Sequence, residues 1–384
     1  MRRLLILCSA VVFLDAVFFA ALTPLLPDFR RDLGISEASA GLLSGSYAAG
    51  ALVCALPGGW FAAHFGPRRA VILGLVGIGI FSPIFGLAES LWLLNSSRFL
   101  QGASGALLWA GAMSWIVIAG PEERRGALVG TLIAAATVGE LLGSPIGALA
   151  HEIGLDIVFG AVAVIAAALL ALAMTNRPVH PADPQSPGYA IRAARGSGIN
   201  SAMWLLAAPS FAFGVCVVVA PLRLDDLGGS PLLIAAAFAS GSLVETLLGP
   251  LIGRASDKVG RTRPYRAGML IGAVGIMGIG ALTSISLVFA AVVLCAFSAG
   301  MAFAPSIALI ADAAAGAGIA QGYASGISNA AWGGGQMLGA FGGGALAGAG
   351  FIVPAIATVI VLGVAGFVAG RTTGLRAVPA VSGR

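Results

Sequence analysis

Twelve apolar runs, each about as long as a bilayer is thick, divide this chain of 384 residues. A transmembrane α-helix needs about 20 predominantly apolar residues, and lipid forces the segment to be helical because it offers the backbone no hydrogen-bond partners. Of all residues, 58% are hydrophobic and only 10% are charged, and the mean hydropathy is +0.98. We therefore predict an all-α membrane protein with twelve transmembrane helices. The runs lie at roughly 4–27, 38–62, 70–88, 92–119, 127–150, 157–175, 200–221, 231–252, 266–284, 287–311, 320–347 and 351–370.

The chain contains two copies of one unit. Gly59 and Gly66 recur 194 residues later as Gly253 and Gly260, and Asp32-Leu33-Gly34 recurs as Asp226-Leu227-Gly228 at the same offset. A stretch rich in Pro, Gly and Ser separates the copies. We predict an N-terminal six-helix bundle (1–175), a cytoplasmic linker (176–199), a C-terminal six-helix bundle (200–371) and a cytoplasmic tail (372–384), with the bundles related by an axis along the membrane normal.

The basic residues predict the orientation. Of the 21 Lys and Arg residues, 17 fall on the side that holds both termini, three (Arg30, Arg31 and Arg223) fall on the opposite side, and Arg98 lies within a helix. The positive-inside rule then places both termini in the cytoplasm of a multi-pass cell-membrane protein. The net charge of +5 comes from short clusters between apolar runs, so we expect no nucleic-acid partner.

Several motifs resemble those of the major facilitator superfamily, a six-plus-six secondary-transporter fold, over the whole chain. Residues 253–263 read Gly253-x3-Asp257-Lys258-x-Gly260-Arg261-x-Arg263 and resemble its signature loop between helices 8 and 9. Residues 59–69 are a degraded copy that keeps Gly59, Gly66 and Arg68 but has Ala63 in place of the acid. Arg98-x2-Gln101-Gly102 resembles the helix-4 motif of the family, and residues 121–126 resemble its link into helix 5.

Helices 1 and 5 resemble the drug:proton exchangers within this superfamily. Asp15-x8-Pro24 is similar to their helix-1 motif. Gly130-x8-Gly139-x3-Gly143-Ser144-Pro145-Ile146-Gly147 is similar to their antiporter motif, from which it departs at Ser144 and Ala148. The resemblance implies a proton-coupled antiporter that exports a small organic molecule or drug by alternating access. An uptake symporter, a facilitator and a non-transporting receptor of the same fold are the alternatives. A small-molecule substrate, protons and the lipid bilayer are the expected partners, with a monomeric protein and no cofactor.

Four ionisable residues interrupt the apolar runs. Each costs about 2.5–3.5 kcal/mol at the centre of a bilayer on insertion scales, so such residues usually face a cavity or a partner. We predict that Asp15, Arg98, Glu140 and Glu245 carry proton coupling. The alternative for Asp15 and Arg98 is a static buried pair that holds helices 1 and 4 together, and for the two glutamates a structural role has equal weight.

Helix 11 carries a polar stripe. Ser325, Asn329, Trp332 and Gln336 fall at positions i, i+4, i+7 and i+11, on one helix face that is costly to expose to lipid. We predict that these four residues, with Gln101 and Trp204, line the substrate cavity.

Small residues predict how helix 5 packs. Gly139, Gly143, Pro145 and Gly147 have the small-xxx-small spacing that packs membrane helices, and Gly335, Gly339 and Gly343 repeat it in helix 11. The spacing predicts symmetric packing in the two halves. The family motif adds the hypothesis that this packing seals the protein against proton leak.

The signature loops predict a conformational latch at the cytoplasmic face. It comprises Gly253, Asp257, Lys258, Gly260, Arg261 and Arg263, with Gly59, Gly66 and Arg68 in the degraded copy. Glycines permit tight turns, and the charges can reach neighbouring helix ends. We expect Asp257→Asn to favour a cytoplasm-open state and Ala63→Asp to add a second latch. The alternative is a positive cluster that only sets topology.

No enzyme is predicted. Gly102-Ala103-Ser104-Gly105 fits a short intramembrane-protease pattern, but the three histidines lie in or beside connecting segments, so no histidine is expected inside a helix to serve as base. His151-Glu152 lacks the second histidine of a zinc site, and the one lysine, Lys258, does not follow a phosphate-binding glycine loop. We therefore assign no catalytic residue and no metal.

Overall fold

The computed structural model describes residues 1–121, 124–179, 185–186, 188–189, 192–193 and 198–371, without the side chains of 250, 253–259 and 371. Twelve long helices make up this part of the chain: α1 (Arg2–Ala21), α2 (Glu37–Phe65), α3 (Pro67–Gly86), α4 (Leu91–Ala119), α5 (Arg125–Ile153), α6 (Leu155–Thr175), α7 (Ile199–Asp226), α8 (Pro231–Val259), α9 (Thr262–Ala281), α10 (Ile285–Gly316), α11 (Gln321–Ala347) and α12 (Ile352–Arg371). A one-turn 3-10 helix (Thr23–Leu25) and a short helix (Leu26–Asp32) continue α1.

The predicted all-α membrane fold is confirmed. Ten of the described helices, α1 with its continuation included, are long and apolar enough to cross a membrane by length and composition. The other two, α9 and α11, are richer in glycine and polar residues. Both pack against several apolar helices, α9 against α10 and α12 and α11 against α2 and α7. Packing against protein rather than lipid reduces their need for a uniformly apolar surface.

The helices extend further than the apolar runs. α8 continues to Val259, so residues 253–259 of the predicted signature loop are helical and only Gly260 and Arg261 separate α8 from α9. His64 and His151 likewise lie in the last turns of α2 and α5, which corrects the prediction that no histidine lies inside a helix. Neither histidine reaches Ser104, because His64 lies against the Trp60 carbonyl and His151 pairs with Asp28. His180 lies outside the described residues.

The backbone repeats with the sequence. Both ends of α8 (Pro231–Val259) lie 194 residues after the ends of α2 (Glu37–Phe65). Gly66 and Gly260 end these helices with φ of 90° and 82°, a conformation that residues with a Cβ rarely adopt. The recurrence of Gly66 as Gly260 is therefore explained by two equivalent sharp turns.

Glycines of α5 and α11 pack against α1 and α7 in equivalent ways. A Cβ at Gly143 would lie 2.4 Å from the Val17 carbonyl oxygen of α1, and a Cβ at Gly339 would lie 2.0 Å from the Phe211 carbonyl oxygen of α7. Real Cβ atoms do not approach so closely, so each glycine is needed for the approach of the two backbones. α5 and α11 therefore approach α1 and α7 through glycines at equivalent places in the two halves.

Two helix pairs make the most extensive contacts between the N-terminal half (α1–α6) and the C-terminal half (α7–α12). α2 packs along α11, and α5 packs along α8. The α2–α11 seam runs the full length of both helices. A Cβ at Gly41 would lie 2.5 Å from the Ala340 carbonyl oxygen near one end, and a Cβ at Gly59 would lie 2.4 Å from the Gly322 carbonyl oxygen near the other.

Charged residues connect the halves at the end where α1 continues into Asp32 and α7 ends, which we call the Arg30 face. Arg30 lies 3.2 Å from Asp226 of α7 and 3.4 Å from Glu37 of α2. Arg31 pairs with Asp225 and with Asp28, and His151 of α5 lies 2.7 Å from Asp28. The sequence indicates orientation through these arginines but does not predict this ion-pair network.

A residue of the linker contacts the start of α11 at the opposite end, which we call the linker face. The Gln185 side chain donates to the Gly318 carbonyl at 2.6 Å and accepts from the Ala320 backbone N–H at 2.7 Å. The Tyr323 hydroxyl donates to the Gln185 carbonyl at 3.0 Å. Gln185 thus satisfies a backbone donor at a helix N-terminus that lacks a side-chain cap of its own.

The predicted latch is described only in part. The side chains of Gly253, Asp257 and Lys258 lie outside the described residues. Arg261 pairs with Asp312 of α10, within the C-terminal half. In the degraded copy, Arg68 donates to the Met174 carbonyl of α6, also within its own half. On the linker face, Gly59 and Ala63 of α2 contact the C-terminal half, where they pack against Gly322 of α11.

Candidate functional site

A buried carboxylate lies in the middle of α1. Asp15 is only 3% exposed. It accepts a hydrogen bond of 2.6 Å from the Tyr47 hydroxyl of α2 and one of 3.0 Å from the Trp109 indole N–H of α4. Gly105 of α4 makes room for it, since a Cβ there would lie 2.8 Å from Asp15 Oδ1. Three helices of the N-terminal half therefore meet at this carboxylate.

A buried guanidinium lies beside this carboxylate. Arg98 is 1% exposed, and it donates to the Phe18 carbonyl at 3.0 Å, to the Phe19 carbonyl at 3.3 Å and to Gln101 Oε1 at 3.0 Å. Its guanidinium carbon lies 5.1 Å from the centroid of the Tyr47 ring. These contacts attach α4 to the backbone carbonyls of α1.

Asp15 and Arg98 do not form the direct ion pair that the static alternative requires. Among the described side chains, each has the partners given above and no nitrogen–oxygen contact of 4.0 Å or less joins the two. Tyr47 links them instead, because its hydroxyl contacts Asp15 and its ring lies next to Arg98. No sequence pattern singled out Tyr47 or Trp109.

Aromatic rings connect this cluster to the interface between the halves. The ring centroid of Phe19 lies 5.1 Å from that of Tyr47, 5.5 Å from that of Trp332 on α11 and 6.3 Å from that of Phe213 on α7. The backbone carbonyl of Phe19 also accepts from Arg98, so Phe19 contacts both the buried charges and the C-terminal half.

Glu140 and Glu245 face one cavity between the halves. Glu140 comes from α5 and Glu245 from α8. The cavity has a volume of about 40 Å³, room for about three water molecules and too little for an organic molecule. Its lining comes from α1 and its continuation, α5, α7, α8 and α10: Phe19, Ala20, Thr23, Glu140, Ser144, Phe213, Cys216, Val217, Phe238, Ser242, Glu245, Val292, Ala296, Ala299 and Phe303.

The structure thus divides the four predicted coupling residues into two groups. Asp15 and Arg98 lie together inside the N-terminal half, and Glu140 and Glu245 lie together between the halves. The Phe19 side chain, which lines the cavity and contacts Tyr47, lies between the groups.

The predicted cavity residues lie elsewhere in this conformation. Gln101 donates to the Phe81 carbonyl inside the N-terminal half, and Trp204 is 42% exposed on α7. Ser325 and Gln336 of the polar stripe are buried, as is the side-chain nitrogen of Asn329. The Gln336 amide atoms and this Asn329 nitrogen have no hydrogen-bond partner in the described part of the chain. Burial agrees with the expectation that the stripe avoids lipid.

The protein is therefore a helical, multi-pass membrane protein. It has two repeated halves, charges buried in its helices and a cavity between the halves. The family model described as Major Facilitator Superfamily matches residues 8–221 and 203–381. The chain therefore belongs to this superfamily.

Its relatives include proteins named for drug resistance. A segment of 169 residues is 30% identical to the MFS-type transporter ppzB of Metarhizium majus (strain ARSEF 297), over 42% of this chain and 36% of that protein. Over 169 residues, the chain is also 24% identical to the Multidrug resistance protein 2 of Bacillus subtilis (strain 168), which covers 43% of this chain and 42% of that protein. Over 142 residues, the chain is 25% identical to the Quinolone resistance protein NorA of Staphylococcus aureus (strain MRSA252), which covers 37% of this chain and 37% of that protein. The chain thus matches about two fifths of the length of these relatives.

Proposed function

We propose that this protein is a secondary active transporter that exports a small organic molecule in exchange for protons by alternating access. Family membership supports transport, and the relatives named for drug resistance support an organic substrate. We further propose that it works as a monomer in the cell membrane with both termini in the cytoplasm. The linker face is then cytoplasmic and the Arg30 face is external.

The environment of Asp15 carries the proposal. This carboxylate is buried in a membrane-spanning helix, and its described partners are two neutral donors, Tyr47 and Trp109. It can therefore gain and lose a proton without breaking an ion pair. Arg98 lies on the other side of Tyr47, close enough to stabilise the charged form through the electric field.

Alternating access supplies the link from proton to substrate. The halves meet along α2–α11 and α5–α8, and the cavity lies between them. Rocking of one half against the other would enlarge the cavity toward one face at a time. Because Phe19 contacts both the Arg98 site and the cavity, protonation of Asp15 and opening of the cavity share one set of contacts.

Flux in proteoliposomes of purified protein tests the proposal. An antiporter takes up substrate when an opposing proton gradient is imposed, and the gradient has no effect on a facilitator. A symporter requires a gradient in the same direction as the substrate, and a receptor shows no flux. Uptake that is indifferent to the gradient, with a substrate that is demonstrably transported, would remove proton coupling from the proposal.

A further inference from the structure

A second cavity lies inside the C-terminal half. It has a volume of about 20 Å³, room for about one water molecule or one metal ion. Its lining comes from α7, α9, α10 and α12 alone, so it is distinct from the cavity between the halves. Phe213, Cys216 and Ala299 line both cavities, which places them side by side and gives a small ion a path into the second.

Three sulfur-bearing side chains line this second cavity, one from each of three helices. Cys216 comes from α7, Met269 from α9 and Cys295 from α10. The Cys216 and Cys295 thiols are within hydrogen-bonding reach of each other, and both are free cysteines. The fold therefore collects two thiols and a thioether around one small space.

The rest of the lining does not suit a hard metal ion. Apart from the sulfurs, its described residues include one polar side chain, Ser298, whose hydroxyl donates to the Cys295 carbonyl at 2.8 Å. Calcium and magnesium require several oxygen ligands, and structural zinc takes four ligands that are thiolates, imidazoles or carboxylates. No group of three His, Cys, Asp or Glu side chains able to hold a metal occurs in the described part of the chain. Thiolate and thioether sulfur instead select soft ions such as Cu(I).

The low polarity of this lining favours a complex without net charge. A charged species buried in apolar surroundings is costly unless it is paired. When a monovalent soft ion binds one thiol, a metal–sulfur bond forms and the thiol proton leaves to solvent, so the ion and the thiolate together are neutral. The second thiol and the thioether complete the coordination as neutral sulfur donors.

We propose that Cys216, Cys295 and Met269 form a binding site for a single soft monovalent metal ion of the Cu(I) or Ag(I) type. The bound ion joins α7, α9 and α10 within one half and therefore stabilises the packing of that half. The site is independent of the proposed antiport, because it uses neither Asp15 nor the movement of one half against the other.

Binding of Ag(I) to the reduced, purified full-length protein tests the proposal. Excess glutathione in the buffer competes for the ion with any single thiol, so only a site with several preorganised sulfur donors retains it. We expect the wild type to retain about one silver ion per chain after desalting, counted by elemental mass spectrometry, and to unfold at a higher temperature with silver than without it. X-ray absorption of the bound silver should show a first shell of three sulfur atoms.

Variants locate the ion. Cys216→Ser and Cys295→Ser should each lower the affinity for Ag(I) by about a hundredfold, and Met269→Leu should lower it by about tenfold, because each removes one sulfur donor. Cys8→Ser is the matched control, since the Cys8 thiol is also fully buried but belongs to α1, away from this cavity. The control should retain silver as the wild type does.

Three results would overturn the proposal. These are loss of silver from the wild type in glutathione, unchanged silver affinity in the Cys216→Ser, Cys295→Ser double variant, and equal affinity in Met269→Leu and the wild type. X-ray absorption on the wild type needs no variant, so a shell of oxygen atoms or of a single sulfur would overturn the site even if a substitution prevents folding. Metal retention is measured without a gradient or flux, so failure of the proposed antiport leaves this test unaffected.

Discussion

The Tyr47 hydroxyl donates a 2.6 Å hydrogen bond to Asp15, and the ring of the same tyrosine lies 5.1 Å from the Arg98 guanidinium carbon. One side chain of α2 therefore contacts a buried acid of α1 and a buried base of α4. The acid and the base can influence each other through Tyr47 without a direct bond between them.

Asp15→Asn should abolish proton-driven flux and leave expression and folding intact. The amide occupies the same space, and its oxygen can accept from Trp109 while its NH2 group donates to the Tyr47 hydroxyl, but it cannot exchange a proton. The measurement is substrate uptake into proteoliposomes with and without a proton gradient. Wild-type coupling in this variant would show that the proton uses another residue.

Tyr47→Phe should reduce proton-driven flux severalfold. Asp15 loses one of its two donors, and a lost hydrogen bond to a charged group costs about 1.5–3 kcal/mol. Tyr265→Phe is the matched control, because the Tyr265 hydroxyl is also buried but has no hydrogen-bond partner in the described chain. Equal flux in the two variants would mean that the Tyr47 hydroxyl does not position the acid.

Arg98→Ala should impair both coupling and thermal stability, and Arg98→Lys should restore only part of each. The guanidinium reaches two carbonyls of α1 and Gln101 at once, whereas an ammonium is a compact charge that lacks the planar fork. Flux and thermal unfolding of both variants are compared with Arg3→Ala, which removes an exposed arginine of α1. Full activity in Arg98→Ala would reduce Arg98 to a packing element.

Gly143→Ala should destabilise the protein by about 1–3 kcal/mol, the usual cost of an overpacked contact. The new methyl would meet the Val17 carbonyl oxygen of α1 at 2.4 Å. Gly130→Ala in the same helix is the matched control, since a Cβ there has nothing within 4 Å. The measurement is the thermal unfolding midpoint of each variant. Equal midpoints for Gly143→Ala and Gly130→Ala would show that α1 and α5 can move apart without loss of stability.

Asp225→Asn combined with Asp226→Asn should make the Arg30 face open more readily. The pair removes the charges that join α7 to Arg30 and Arg31, and high salt should have a similar but weaker effect on the wild type. Labelling of Cys216, which lines the cavity, by a hydrophilic reagent measures opening once the other three cysteines are replaced. Asp32→Asn, which neutralises an exposed acid nearby, is the control. Unchanged labelling in the double variant would show that these ion pairs do not hold the Arg30 face closed.

The class of fold and its internal repeat can be read from the amino-acid sequence alone. Runs of about 20 apolar residues must be helical in lipid, and the 194-residue offset from Gly66 to Gly260 reflects two equivalent turns with positive φ. The spacing of Gly139, Gly143 and Gly147 also predicted close packing, because helix periodicity places them on one face. Each apolar run, each turn and each glycine spacing is local, so it can be recognised from residues that lie close together in the chain.

The contacts among the buried groups depend on how the helices pack in three dimensions. Glu140 and Glu245 are 105 residues apart, and no periodicity says that α5 and α8 face each other across a cavity. The chain likewise does not say that Tyr47 lies between Asp15 and Arg98, that Arg30 reaches Asp226, or that Gln185 reaches α11. A helix pattern reports which face is buried but not which helix covers it, because that depends on how six helices pack within each half and how the halves dock.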